Sequence, residues 1–164
     1  MVRCPRQTGV SAGPGKPSGM TPLDLRTHRP RGPRETILGF YLLPRTVDKL
    51  RAELPGGHLG PYLNHDTGFS AYLVRRLGLN MNELRQAVAS APDETALVKW
   101  LAARVDVASA PEHNAKLETM VIERMKPEDQ ELLRQRHPVM ETQPGLSKIL
   151  DILDADDRLS FGVN

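Results

Sequence analysis

At 164 residues, with 39% hydrophobic and 26% charged side chains, the chain is sized for one soluble domain with a modest core. Aromatics make up only 4%, so aliphatic side chains must supply most of that core, and the one cysteine, Cys4, excludes an internal disulfide framework or a multi-cysteine metal site. The net charge of +2 conceals an asymmetry: residues 1–34 hold seven of the 22 Lys/Arg and one of the 20 Asp/Glu, which makes that lead +6 and the rest −4. A mildly acidic body argues against specific nucleic-acid binding and leaves any phosphate or anionic-lipid contact to the lead. No apolar run approaches the roughly 20 residues that span a membrane. The N-terminal arginines are not followed by the apolar stretch of a secretory signal, so a cytoplasmic location is the expectation.

Residues 1–19 are rich in Gly, Pro, Ser and Arg without periodicity and are expected to be disordered, with residues 20–164 forming one helical domain. Met20 opens a more orderly sequence and is a candidate natural start. The segment "GPGKPS" has the composition of a phosphate loop but neither a strand before it nor a helix after it, and is set aside. "TILGFYLL", residues 36–43, is the one piece that reads ambiguously between strand and helix. Beyond it Leu43, Val47, Leu50 and Leu54 recur at helical spacing, with Pro44 in the first turn, where proline is accepted. Asp66 is placed to cap a helix carrying Phe69, Leu73 and Leu77, which Gly78 would end. Asn80 and Glu83 resemble a capping box ahead of Leu84, Ala87 and Val88, and Asp93 precedes Leu97, Trp100, Leu101 and Val105. Pro111 opens a stretch through Leu117, Met120, Val121 and Met125. "KPEDQELLRQRHP" has proline and acids in its first turn, as the helix dipole favours, and Leu146, Ile149, Leu150 and Leu153 mark a last helix. The fold class is all-α: one compact domain of six or seven short helices after a disordered tail.

The residues with chemistry gather in 31–66. On a wheel of about 100° per residue, Arg45, Asp48, Lys49 and Ala52 fall opposite the apolar stripe of the 43–54 helix, and Arg45 and Asp48, three apart, can pair. The loop that follows, "ELPGGHLGPYLNHD", brings His58, Tyr62, His65 and Asp66 within reach, with Gly56, Gly57 and Gly60 permitting close backbone approach. Arg34, Arg45 and Lys49 suit an anionic group, with His58 and Asp66 as further lining. Asp48, Tyr62 and His65 are the candidates for moving a proton. Each also has an ordinary explanation: a solvated helix face, an N-cap at Asp66, a ring that bonds one carbonyl at Tyr62. The spacing of His58, His65 and Asp66 matches no zinc pattern, so no metal is assigned, and no motif names a cofactor. His113 and His137 lie on or beside helices and are expected at the surface. No serine or cysteine nucleophile with a supporting triad is visible: Ser70 lies in no strained elbow.

These stretches carry a resemblance. "RGPRETILGFYLLPRTVDKLRAELPGGHLGPY", then "FSAYLVRRLGLNMNELRQAV" and "DETALVKWL", are similar to a family of small bacterial proteins known as domain of unknown function number 5069. The similarity is close from Leu23 to Leu101 and looser beyond. The most specific piece is Pro33-Arg34 followed by "LPRTVDKLRA". The resemblance implies a fold and assigns no catalytic residues.

Two readings follow from the residues. In one, the 31–66 segment builds a site for a small anionic metabolite, with acid–base chemistry. In the other, the chain is a non-catalytic helical interaction module, with a homodimer as one form of it, and these residues stabilise a helix-to-loop corner. Burial of Arg45, Asp48 and Tyr62 around a concave pocket would favour the first.

Overall fold

The computed structural model describes residues 19–62 and 68–162. The expected disordered tail, apart from Gly19, lies outside the described residues, as do Cys4, "GPGKPS", His65 and Asp66. The described residues form eight α-helices, two 3-10 turns and no strand. They are α1 (Leu43–Ala52), α2 (Phe69–Arg76), α3 (Met81–Ser90), α4 (Glu94–Ala102), α5 (Ala110–Glu118), α6 (Pro127–Arg136), α7 (Val139–Thr142) and α8 (Ile149–Phe161).

Local signals set most boundaries. Asn80 Oδ1 accepts from the N–H groups of Asn82 and Glu83, and Asp93 Oδ1 from that of Ala96, so both caps work as the sequence indicates. Gly78, at φ 69°, ends α2. At the other end of α2 the capping position is held by Gly68. The stretch opened by Pro111 departs from expectation. Its helix stops at Glu118, and Val121 then forms an isolated bridge with Lys148 before the 3-10 turn Ile122–Arg124. Met120 accepts from the Ile149 N–H, so the chain turns there to meet the start of α8. The one-turn α7 raises the helix count among the described residues above six or seven.

"TILGFYLL" is neither strand nor helix. Ile37 and Phe40 face each other across a tight turn, and Leu38 and Leu42 hold positive φ angles of 53° and 64°. Asn114 on α5 secures this turn twice: its Oδ1 accepts the Tyr41 N–H at 3.0 Å and its Nδ2 donates to Gly39 O at 2.8 Å. The turn delivers the chain into α1, where the Thr46 N–H and hydroxyl both donate to Leu42 O.

α1 is the central element. It packs on α2 and α3, while α8 packs on α5 and α7. Leu43 to Asp48 are all buried, so the expected charged outer face is an inward one. Its charges are neutralised by segments distant in sequence. Arg45 pairs with Asp157 of α8 through both guanidinium nitrogens, one contact at 3.0 Å, and the two side chains are only 4% and 2% exposed. Asp48 receives the Arg31 backbone N–H at 2.8 Å and the Arg31 guanidinium, which reaches on to Glu94 at the start of α4. Arg51 approaches Asp48 from one turn away at 3.5 Å. Arg34 bridges Glu118 of α5 and Asp151 of α8. The expected Arg45–Asp48 pair therefore does not form: once buried, each charge needs a partner on a packed neighbour, and the helix presents the two residues to different neighbours.

Two histidines also differ from expectation. His113 is buried, edge-on to Phe40 at 5.8 Å between ring centres, because it shares the inward stripe of α5 with Ala110 and Leu117. Its Nε2 has no hydrogen-bond partner among the described residues. His137 is half-buried, 3.0 Å from Asp156 Oδ2.

Burial, reinforced by the charges of Arg76 and Lys116 and opposed by Glu112, holds the His113 pKa below its ordinary value. The unfolded chain then binds the extra proton more readily, so His113 should cost stability as pH falls from roughly 6.5 through the folded pKa. His113→Leu should flatten the fall in melting temperature between about pH 6.5 and 5; an unchanged slope would rule the effect out. For the central pair, Arg45→Ala or Asp157→Asn should each cost about 3–5 kcal/mol in denaturant unfolding by stranding the other partner. The apolar double replacement Arg45→Met with Asp157→Leu should cost much less than the two singles together.

Candidate functional site

The loop after α1 positions the site. Gly57 lies where a Cβ would stand 2.6 Å from Ala52 O, and Gly60, at φ 58°, where one would stand 2.9 Å from Leu25 O. Only glycine tolerates either approach. The two glycines let the loop lie against the lead segment, where the Leu25 N–H donates to His58 O and the His58 N–H to Leu23 O. The loop thereby returns over α1 and sets Tyr62 against its polar side.

There Tyr62 donates its hydroxyl hydrogen to Asp157 Oδ1 at 2.8 Å, and its ring lies under the Arg45 guanidinium, 5.2 Å from the ring centre. Lys49, one turn on from Arg45, places its amine 6.0 Å from the same ring centre and 3.3 Å from Ser70 Oγ in the first turn of α2. Ser70 Oγ also lies 3.2 Å from Thr46 Oγ1, whose hydrogen goes to Leu42 O. The cluster thus draws on α1, α2, α8 and the glycine loop.

Electrostatics follow from this packing. Desolvation, with the Arg45 charge beside it and only partly offset by Asp157, lowers the Lys49 pKa to about 7. Both forms of the amine are therefore populated near neutrality. Tyr62 is pushed well above its ordinary value, first by burial and then by the Asp157 carboxylate that accepts its hydrogen. It remains a neutral donor.

Of the residues singled out by sequence, the structure brings Arg45, Lys49 and Tyr62 together. Asp48 is buried under Arg31 and Arg51, and Arg34 is engaged with Glu118 and Asp151, so both act as ties between elements. His58 is exposed, and its Nδ1 accepts the Gly60 N–H at 2.9 Å, which stabilises the loop. Among the described residues no group of His, Cys, Asp or Glu could hold a metal ion. Sequence reasoning missed Asp157, Ser70, Thr46 and Arg31. Asp157 had a signal: it follows Leu150 and Leu153 in the inward register of α8, a place where an acid must find a partner. Ser70 and Thr46 had none, since their meeting depends on how α1 and α2 pack.

A cleft of about 410 Å³ between α3 and α4 is lined by Ala87, Ala91, Leu97, Trp100 and Arg104, among others. The Arg104 guanidinium stacks 4.1 Å above the Trp100 ring centre. No helix among the described residues is long and apolar enough to cross a membrane.

No functionally curated protein matches the sequence. The model of one family, "Domain of unknown function (DUF5069)", matches residues 27–159, a span that takes in the arginine ties, the glycine loop and Asp157. The chain belongs to that family.

Proposed function

We propose that the protein binds a small anionic molecule beside the Arg45–Asp157 pair, and that Lys49, Ser70 and Tyr62 supply proton-transfer chemistry to it. The observation that carries this reading is the position of the Lys49 amine, 3.3 Å from a serine hydroxyl and next to a guanidinium already held by an acid. A lysine that merely solvates a helix face extends its amine into water. Here the amine is drawn inward, where its charge is costly to keep and effective against an incoming anion. With a pKa of about 7 it can also give or take a proton under ordinary conditions. Ser70 stands at the N-terminal, positive end of the α2 dipole, which favours the same sign of ligand.

One set of observations favours the second reading, a non-catalytic interaction module. Arg34, Arg45 and Asp48 are consumed in ties between elements, and the cleft beside Trp100 offers an aromatic surface remote from them.

A thermal-shift series with inorganic phosphate and small carboxylates decides between them. Wild type should be stabilised at pH 6, by about 2.7 kcal/mol at a ligand concentration of 100 Kd. The effect should fade as pH rises past 7 and the ammonium is lost, and Lys49→Met should show none. Absence of stabilisation by every anion on wild type would leave the interaction-module reading in its place.

A further inference from the structure

Lys49 is more than a charge for an anion. Its amine has the surroundings that turn a lysine into a nucleophile: removal from water, a fixed neighbouring cation and a hydroxyl within bonding distance. Arg45 is the fixed cation, since its guanidinium is locked onto Asp157 and cannot swing away. Ser70 is the hydroxyl. Its oxygen accepts from Lys49 Nζ at 3.3 Å and lies 3.2 Å from Thr46 Oγ1, whose own hydrogen goes to Leu42 O. Tyr62 walls the other side and stays protonated against Asp157.

We infer that Lys49 forms a Schiff base with an anionic carbonyl compound of the 2-oxo acid class. This rests on the reading of the Lys49 cluster as an anion site and names the chemistry of its ligand. The lone pair of the neutral amine forms a bond to the carbonyl carbon, and the C=O π pair moves to oxygen, which takes one hydrogen from the nitrogen. The carbinolamine then expels that oxygen as water, carrying away in total the two hydrogens of the amine. The nitrogen is left doubly bonded to carbon. The carboxylate beside the carbonyl is what the N-terminal end of the α2 dipole, at Ser70, favours; a neutral aldehyde lacks it. The amine must be neutral to attack, and near pH 7 a large fraction is.

The test is reductive trapping. The full chain is incubated with glyoxylate and cyanoborohydride at pH 8, and the product is read by intact mass and tryptic mapping. Hydride adds to the imine carbon and leaves a stable carboxymethyl amine. Modification at Lys49 fuses the tryptic peptides on either side of it into one spanning Thr46 to Arg51. The expected result is one carboxymethyl group per chain, on Lys49, at least tenfold faster than on Lys99, Lys116, Lys126 or Lys148, and slower again at pH 6. The Lys49→Arg variant should lose the fast phase. Because the mapping is done on wild type, the result stands even if the variant folds poorly. Labelling spread evenly over the lysines, or acetaldehyde trapping as fast as glyoxylate, would overturn the inference. Phosphate binding at pH 6 without fast trapping at Lys49 would overturn it too, while leaving the anion site in place. Failure of both would remove the site itself.

Discussion

Arg45 stands on the central helix with 4% of its side chain exposed, and a guanidinium in that position must be neutralised or the core cannot close around it. Asp157 is what neutralises it, from the last helix of the chain. This requirement fixes where α8 lies against α1, because two parallel contacts between a planar fork and a carboxylate admit little rotation. Tyr62 then has one acceptor to reach, the remaining capacity of Asp157, and the glycine loop has to close far enough for it to do so. Lys49 inherits its surroundings from the same pair. Its unusual proton affinity follows first from its own removal from water and then from the Arg45 charge locked beside it.

The other arginines repeat the pattern at the periphery. Arg31 joins the lead segment to α1 and α4, and Arg34 joins it to α5 and α8. Bidentate guanidinium contacts suit this work, since they fix direction as well as distance. These pairs are more exposed than Arg45–Asp157, so each contributes less to stability, and their value lies in specifying which elements meet. The sequence leaves any phosphate or anionic-lipid contact to the +6 lead. Two of its arginines are instead spent inside the domain.

The sequence was informative wherever a residue's role is local. The caps at Asn80 and Asp93, the stop at Gly78 and the apolar stripe of α8 depend on neighbours a few positions away, and the pattern shows them directly. It was misleading on α1, where a helical wheel assumes one wet side. A helix enclosed by other elements has none, so the polar residues opposite Leu43 and Val47 turned out to be buried and paired. His113 was legible in principle, three residues after Ala110 and four before Leu117 in the inward register of α5. The site was half visible. Arg45, Lys49 and Tyr62 lie close in sequence. Ser70 and Asp157 complete it through packing, and no spacing rule relates them to α1.

Chain separation gives these ties a consequence for biosynthesis. Arg45 and Asp157 are 112 positions apart, Arg34 and Asp151 are 117 apart, and Arg34 and Glu118 are 84 apart. Topology of this kind makes loop closure a late and slow event. On a translating ribosome, α1 to α7 emerge before any residue of α8 has left the exit tunnel, and during that interval the core contains a cationic side chain with no counter-charge. The nascent domain is therefore less stable around α1 until α8 has emerged. Premature termination anywhere before Asp157 would strand Arg45 as Asp157→Asn does, at a similar cost of about 3–5 kcal/mol, so the stability of the early helices depends on synthesis having passed Asp157.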